Sequence, residues 1–294
     1  MLGVCSLIGL TLGLVGPTPP HASAITLTAL ALQTFTTVGA LAPAAGIDWR
    51  TPLRLVGLHL ATVTAMLIVI AIVLGIQTPL GLGVALLALV PPAAGLPAYA
   101  DAAGADTHIV TGFCLISYLI ALVATPTAAW LILGHGISVP SLALSLGFGL
   151  LIPTLAGRAC RPLLIRIPVG VRRAVVAGCL ALITYTIGTG TAPALHHLPG
   201  LTIVLASIAI AAARTFGSGW LAKALWRDRP REAMLAGGFK NAALAAATAI
   251  ILGHPLAALP AMLSFPFESL WLIVIARDRG RKPTTDLVAQ PMAT

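Results

Sequence analysis

Charge is what this sequence has least of. Only nine per cent of its 294 residues are Asp, Glu, Lys or Arg, against about a quarter in a soluble domain. So few charges cannot dress the water-facing surface of a globule this size, which excludes a soluble fold. Acids are scarcer still, with eight Asp and Glu against seventeen Lys and Arg, for a net charge of +9. The basic residues lie in short stretches between apolar runs and near the C-terminal end. They read as topological signals, and no nucleic-acid partner is expected. Cysteine is sparse and scattered: Cys5, Cys114, Cys160 and Cys179 form no CxxC and no pair near HxxxH. That removes a disulfide framework and a zinc site, and neither a metal nor a cofactor is expected. No grouping of Ser, His and acid carries catalytic spacing, so an enzyme is not expected either. The alternating segments of a membrane β-barrel are also missing.

What is there is apolar: 58 per cent of the chain. Apolar segments fall at about 2–16, 25–46, 53–76, 80–100, 107–133, 137–157, 171–192, 199–225, 230–253 and 256–276. Most are long enough for a helix to cross a hydrocarbon core of roughly 30 Å. The breaks carry turn chemistry, as in Gln77-Thr78-Pro79, Gly134-His135-Gly136, Leu198-Pro199-Gly200 and Gly253-His254-Pro255. The expected fold class is therefore an all-α polytopic membrane protein of ten transmembrane helices, with the lipid bilayer as its solvent. Residues 1–24 end in Ala22-Ser23-Ala24, which reads like a signal-peptidase site. No Lys or Arg precedes that apolar run, so a retained first helix is expected.

Basic residues decide the orientation. Arg50 and Arg54 separate spans 2 and 3, and Arg158, Arg161, Arg166, Arg172 and Arg173 separate spans 6 and 7. Lys223, Arg227, Arg229 and Arg231 flank the junction of spans 8 and 9, and Arg277, Arg279, Arg281 and Lys282 follow span 10. The loops after spans 1, 3, 5, 7 and 9 hold no Lys or Arg. Since Lys and Arg favour cytoplasmic loops, a multi-pass protein of the cell inner (plasma) membrane is expected, with both termini cytoplasmic.

Splitting the chain near residue 136 gives two five-span halves, 1–136 and 137–276, followed by a cytoplasmic tail at 277–294. Five is odd, so the second half must lie inverted relative to the first. The fourth span of each half is interrupted. Span 4 contains Pro91, Pro92, Gly95 and Pro97, and a continuous helix does not hold three prolines and a glycine so close together. Span 9 contains Gly237 and Gly238 beside Lys240 and Asn241. Broken helices in matching positions of two inverted halves point to a transporter's binding site.

The stretch from Pro91 through Gly104-Ala105-Asp106 resembles the fourth-helix region of the bile acid:sodium symporter family, where a Pro-Gly-Gly stretch leads to Ser-Asn and then Gly-Asp. The run Gly238-Phe239-Lys240-Asn241-Ala242-Ala243-Leu244-Ala245 resembles that family's ninth-helix motif, Glu-x-Gly-x-Gln-Asn. The resemblance implies a panel of spans 1, 2, 6 and 7 against a core of spans 3–5 and 8–10, with helices 4 and 9 crossing in the core. It also implies where sodium ligands should lie. The Ser-Asn pair falls on Leu96 and Pro97, the span-5 hydroxyls near Val110 and Cys114, the Glu on Ala236 and the Gln on Lys240, while Asn241 is kept. Hard cations need oxygen ligands, so sodium coupling is not expected, and a proton becomes the candidate coupling ion. The arsenite efflux branch of the same superfamily carries a glutamate in its last helix, and Glu268 looks like that feature.

Lys240 is the sharpest polar signal, because a lysine at mid-helix costs about 2.5–3.5 kcal/mol on insertion scales and normally meets a cavity or partner. Its ammonium is expected to act as a tethered cation where relatives hold sodium. Arg214 and Glu268 are the other charges inside spans and fit one core ion pair. Thr107, Thr111, Cys114 and Tyr118 share one face of span 5, fitted either to line a substrate path or to bond their own backbone. Helix N-termini at both breaks present unpaired N–H groups and partial positive charge. Together these features lead to a carrier for a small organic anion. Arsenite or antimonite efflux and a non-transporting membrane sensor stay open as alternatives.

Overall fold

A computed structural model describes residues 2–39, 48–133, 144, 146–196 and 201–278, with helices and turns but no strand among them. Helix α1 (Leu2–Val15) and α2 (Ala22–Gly39) are followed by α3 (Arg50–Leu74), which contains a π-turn at Leu60–Thr64. Gly75, at a φ of 79°, ends α3, and the Thr78 side chain then caps the next helix by accepting from Gly81 N. With Pro79 in its first turn, this is the pre-organised start expected of α4 (Pro79–Leu89). Helix α5 (Leu96–Ala103) stops at Gly104, whose φ of 67° suits glycine. Asp106 Oδ1 accepts from His108 N and Ile109 N to start α6 (Thr107–Leu133).

The second half opens with α7, which joins a π-turn at Gly147–Leu151 to Ile152–Ala159. It continues through α8 (Val169–His196) and α9 (Leu201–Leu225), the latter with a π-turn at Ala213–Gly217. Helices α10 (Pro230–Gly238) and α11 (Ala242–Ile251) follow, and short turns at Pro255–Ala258 and Leu259–Met262 lead into α12 (Ser264–Arg277). The sequence around His196 and His197 reads as an outer loop, but His196 closes α8. The boundary at 136, His197 and the tail from Arg279 lie outside the described residues.

Among the described residues, seven segments are long and apolar enough to cross a membrane: α2, α3, α6, α8, α9, the stretch Pro230–Ile251, and Pro255–Arg277. They answer to expected spans 2, 3, 5, 7, 8, 9 and 10. Of the other three, span 1 is the short Val4–Val15, span 4 is split between α4 and α5, and span 6 begins outside the described residues. This is a polytopic helical membrane protein.

Burial sorts the segments. Within an 18-residue window of each, 89% of positions in Pro230–Ile251 are buried, against 33% in α3 and in α9, which turn Val69, Ile72, Val73, Leu205 and Leu221 outward, as lipid-facing helices do. Helix α1 lies closest on α8. A Cβ on Gly9 would stand 2.2 Å from Ala181 O and one on Gly13 2.2 Å from Tyr185 O, so this GxxxG is a backbone-to-backbone seam. Helix α2 packs on both α7 and α8.

Candidate functional site

Two interruptions meet in the protein interior. The first spans residues 90–95, between α4 and α5, and includes Pro91, Pro92 and Gly95. The second spans 239–241, between α10 and α11. The chains touch at these points, because Asn241 N donates to Pro91 O at 2.9 Å.

The sequence placed both breaks, though not every residue in them. Pro97 sits in the first turn of α5, where its missing N–H costs nothing. Gly237 and Gly238 are helical, in the last turn of α10, and they serve close packing. A Cβ on Gly238 would stand 2.3 Å from Trp271 Nε1, and one on Gly237 2.6 Å from Ser218 O.

A helix end leaves its last carbonyls without intrahelical donors, and in a hydrocarbon-depth interior those oxygens need replacements. For α4 the main replacement is Lys240. Its Nζ donates to Ala88 O and Val90 O, both at 2.9 Å, and to Thr64 Oγ1 at 2.8 Å. Thr125 Oγ1 donates to Leu89 O at 2.6 Å, and Tyr118 OH to Ala93 O at 3.3 Å. An ammonium has three N–H groups, and here all three are spent on the protein. Lys240 is 2% exposed, so it does not snorkel.

The end of α10 is served by four different side chains. Trp271 Nε1 donates to Met234 O at 3.1 Å, His59 Nδ1 to Ala236 O at 2.6 Å and Ser218 Oγ to Gly237 O at 2.7 Å. Arg214 Nη1 lies 3.4 Å from Gly238 O. Arg214 Nη2 also donates to Glu268 Oε1 at 2.5 Å, an ion pair with side chains 0% and 8% exposed. The two charges of that pair cancel, while the Lys240 ammonium donates to neutral oxygens, its backbone N–H reaching the Glu268 carboxylate. One positive charge is therefore left uncompensated at the crossing.

Beside the crossing lies a small cavity with room for about one water molecule, walled by α2, α8, α12 and both breaks. Its polar lining is Gln33, Tyr99, Lys240, Asn241 and Glu268, set among Leu30, Leu180 and Phe265. Asn241 Oδ1 caps α11 by accepting from Leu244 N at 3.0 Å, whereas its Nδ2, in a side chain 2% exposed, has no partner among the described residues. The cavity wall thus offers an amide donor to a hydrogen-bond acceptor.

Of the residues singled out in the sequence, Lys240, Asn241, Glu268 and Gly95 come together at this cavity, with Pro91 and Pro92 just behind it. Thr111, Cys114 and Pro97 do not line it. Thr111 Oγ1 bonds its own helix at Thr107 O, 2.5 Å away, and Cys114 is packed in the apolar core. Sequence reasoning missed His59, Thr64, Thr125, Ser218 and Trp271. Only His59 carried a signal, as an ionisable residue inside an apolar span. A threonine or tryptophan in such a span is indistinguishable from packing. Neither a family model nor a curated protein sequence matches the chain.

Proposed function

We propose that the chain is a secondary active transporter of a small organic anion, working by alternating access without a sodium requirement. In this reading ten spans form two inverted five-span repeats. A core of spans 3–5 and 8–10 moves against a panel of spans 1, 2, 6 and 7, and both termini are cytoplasmic. The observation that carries it is the crossing itself. Two interrupted helices exchange a backbone hydrogen bond at Asn241 N and Pro91 O, beside a cavity whose surroundings hold one unbalanced positive charge. Irregular backbone at membrane depth occurs where it lines a cavity, and transporters bind substrate at such breaks.

Two further features support this reading. The π-turns at Leu60–Thr64 and Ala213–Gly217 fall in the third span of each proposed half, and each serves a broken helix end, through Thr64 and Arg214 respectively. A π-turn is rare and recurs at functional sites, so its repetition fits the inverted symmetry. The packing of α1 and α2 on α7 and α8 fits a separate panel.

The charge balance favours a monoanion over a neutral or cationic substrate. Because the Lys240 N–H groups are spent, the ligand's hydrogen bonds fall to Asn241 Nδ2 and Gln33, with Lys240 acting through its charge. A thermal-shift screen of the purified protein tests this, using acetate, lactate, pyruvate, succinate and citrate, each with sodium or choline as counter-ion. A ligand that binds the folded state raises the melting point by mass action. Stabilisation by one or more monocarboxylates, equal in the two salts, is expected. Stabilisation by cations or neutral solutes alone would overturn the reading.

A further inference from the structure

Three buried charges and one buried imidazole surround the crossing, and the imidazole keeps a ring nitrogen with no partner among the described residues. Lys240 gives its three N–H groups to Ala88 O, Val90 O and Thr64 Oγ1, so losing a proton would strand an oxygen. Glu268 Oε1 is held by the Arg214 guanidinium at 2.5 Å. His59 differs. It is 3% exposed on α3, at the residue that opens the π-turn, and its ring meets Phe113 edge-on at 5.5 Å. Its Nδ1 lies 2.6 Å from Ala236 O. A carbonyl can only accept, so Nδ1 carries the hydrogen and Nε2 of the neutral ring keeps a lone pair. That Nε2 is buried and has no partner among the described residues.

We infer that His59 is a proton-binding site of the carrier, taking up at Nε2 the proton that accompanies the anion. The inference rests on the anion-carrier reading and identifies its coupling ion and the residue that holds it. The chemistry is one reversible protonation, in which the Nε2 lone pair forms an N–H bond while Nδ1–H stays on Ala236 O. The imidazolium then sits against the C-terminal end of α10, where the helix dipole favours a cation.

The charged groups facing the ring are Lys240 in the second break and Arg214 on α9, both positive. Glu268 on α12 is engaged with Arg214, and α6 contributes Phe113. Two cations oppose a third nearby, and an anion entering the adjoining cavity offsets them. Proton and anion thus favour each other's binding, which is the linkage a symporter needs. His59 also belongs to α3, which reaches one broken helix directly and the other through Thr64 and Lys240. A charge on its ring therefore acts on the element joining both breaks.

The test is nitrogen NMR of the full-length protein in nanodiscs, with its seven histidines 15N-labelled. The His59 signal is assigned by its loss in His59→Asn. Asparagine is the chosen replacement because its Nδ2 stands where histidine Nδ1 does, so the donor to Ala236 O and the fold are kept. Spectra are recorded between about pH 8 and pH 5, the range in which histidine changes charge, with and without acetate. Protonation of the His59 Nε2 on acidification, with its midpoint raised by acetate, is expected. An Nε2 that stays unprotonated to pH 5 in both series overturns the inference while leaving the carrier reading, judged by the melting screen, intact. A midpoint that ignores acetate leaves His59 as a proton site but overturns its coupling to the anion. In proteoliposomes loaded with a pH-sensitive dye, His59→Asn is expected to carry anion without the accompanying internal acidification. Acidification equal to wild type in that variant would equally overturn the assignment.

Discussion

At the scale of single residues, the interior is organised by what happens to carbonyl oxygens when a helix stops. Lys240 meets this need at α4 with an ammonium because two carbonyls and a hydroxyl converge on one point. Lys240→Gln supplies two N–H groups instead of three, and Lys240→Met supplies none. Each buried carbonyl left unpaired costs about 1–3 kcal/mol, so melting temperatures should fall in the order wild type, Gln, Met. A methionine variant as stable as wild type in detergent would show that the clamp is not needed. The Arg214–Glu268 pair gives a second expectation. Removing one member leaves an uncompensated buried charge, a loss of about 3–5 kcal/mol, whereas replacing both with apolar residues of similar size is far milder. Arg214→Met should therefore be more damaging alone than combined with Glu268→Met, and a double-mutant cycle on thermal unfolding measures the difference. Additive losses would mean that the two charges are independent.

At the scale of elements, the two breaks are built differently for a physical reason. The first is made by proline, since Pro91 and Pro92 remove donors and exclude the preceding turn from helical geometry. The second has no proline. It follows a Gly-Gly turn packed so tightly on Trp271, Ser218 and Ala222 that the helix end is fixed from outside, and Asn241 then caps a fresh helix. Gly238→Ala puts a methyl 2.3 Å from Trp271 Nε1 and must displace either the indole, which donates to Met234 O, or the end of α10. Overpacking of this kind costs about 1–3 kcal/mol. Gly170→Ala, in a helix where a Cβ meets nothing within 4 Å, is the matched control and should melt like wild type or slightly above it. Equal melting of the two variants would remove the packing account of the second break.

At the scale of the whole molecule, the carrier reading makes an expectation about ions. The positions that the family resemblance assigns to sodium ligands carry Leu96, Pro97, Ala236 and Lys240, and Lys240 fills its surroundings with its own charge. Uptake of an organic acid into proteoliposomes should therefore be unchanged when sodium is replaced by choline, and should rise as the outside is acidified. A steep sodium dependence would mean that backbone oxygens at the breaks hold a cation in another state of the cycle. Orientation is checked with single cysteines at Arg227 and Thr78 in a variant whose four native cysteines are replaced. A membrane-impermeant maleimide applied to intact cells should label position 78 and spare 227. The opposite pattern would invert the molecule and the direction of every gradient argument.

Membrane class and the positions of most spans follow from composition and the lengths of apolar runs, because in lipid each helix satisfies its own backbone and needs no distant partner to exist. Both interruptions were legible for the same reason: proline and glycine act on their own few residues. What closes those interruptions was not. The partners of Lys240 lie 150 to 176 residues away in sequence, and His59 and Ala236 are 177 apart, whereas Arg214 and Glu268 were paired from the sequence as the other two charges inside spans. Thr64 and Thr125 look like any threonine in an apolar helix until folding brings the first to the Lys240 ammonium and aims the second at the Leu89 carbonyl. The sequence by itself determined that charge would be buried, since Lys240, Arg214 and Glu268 lie within apolar spans. Only the tertiary structure decided that Lys240 is a clamp with no hydrogen bond to spare and that His59 keeps an unused lone pair. Hydrogen bonds are short-ranged and directional, so their partners are fixed by which helix ends the fold brings together.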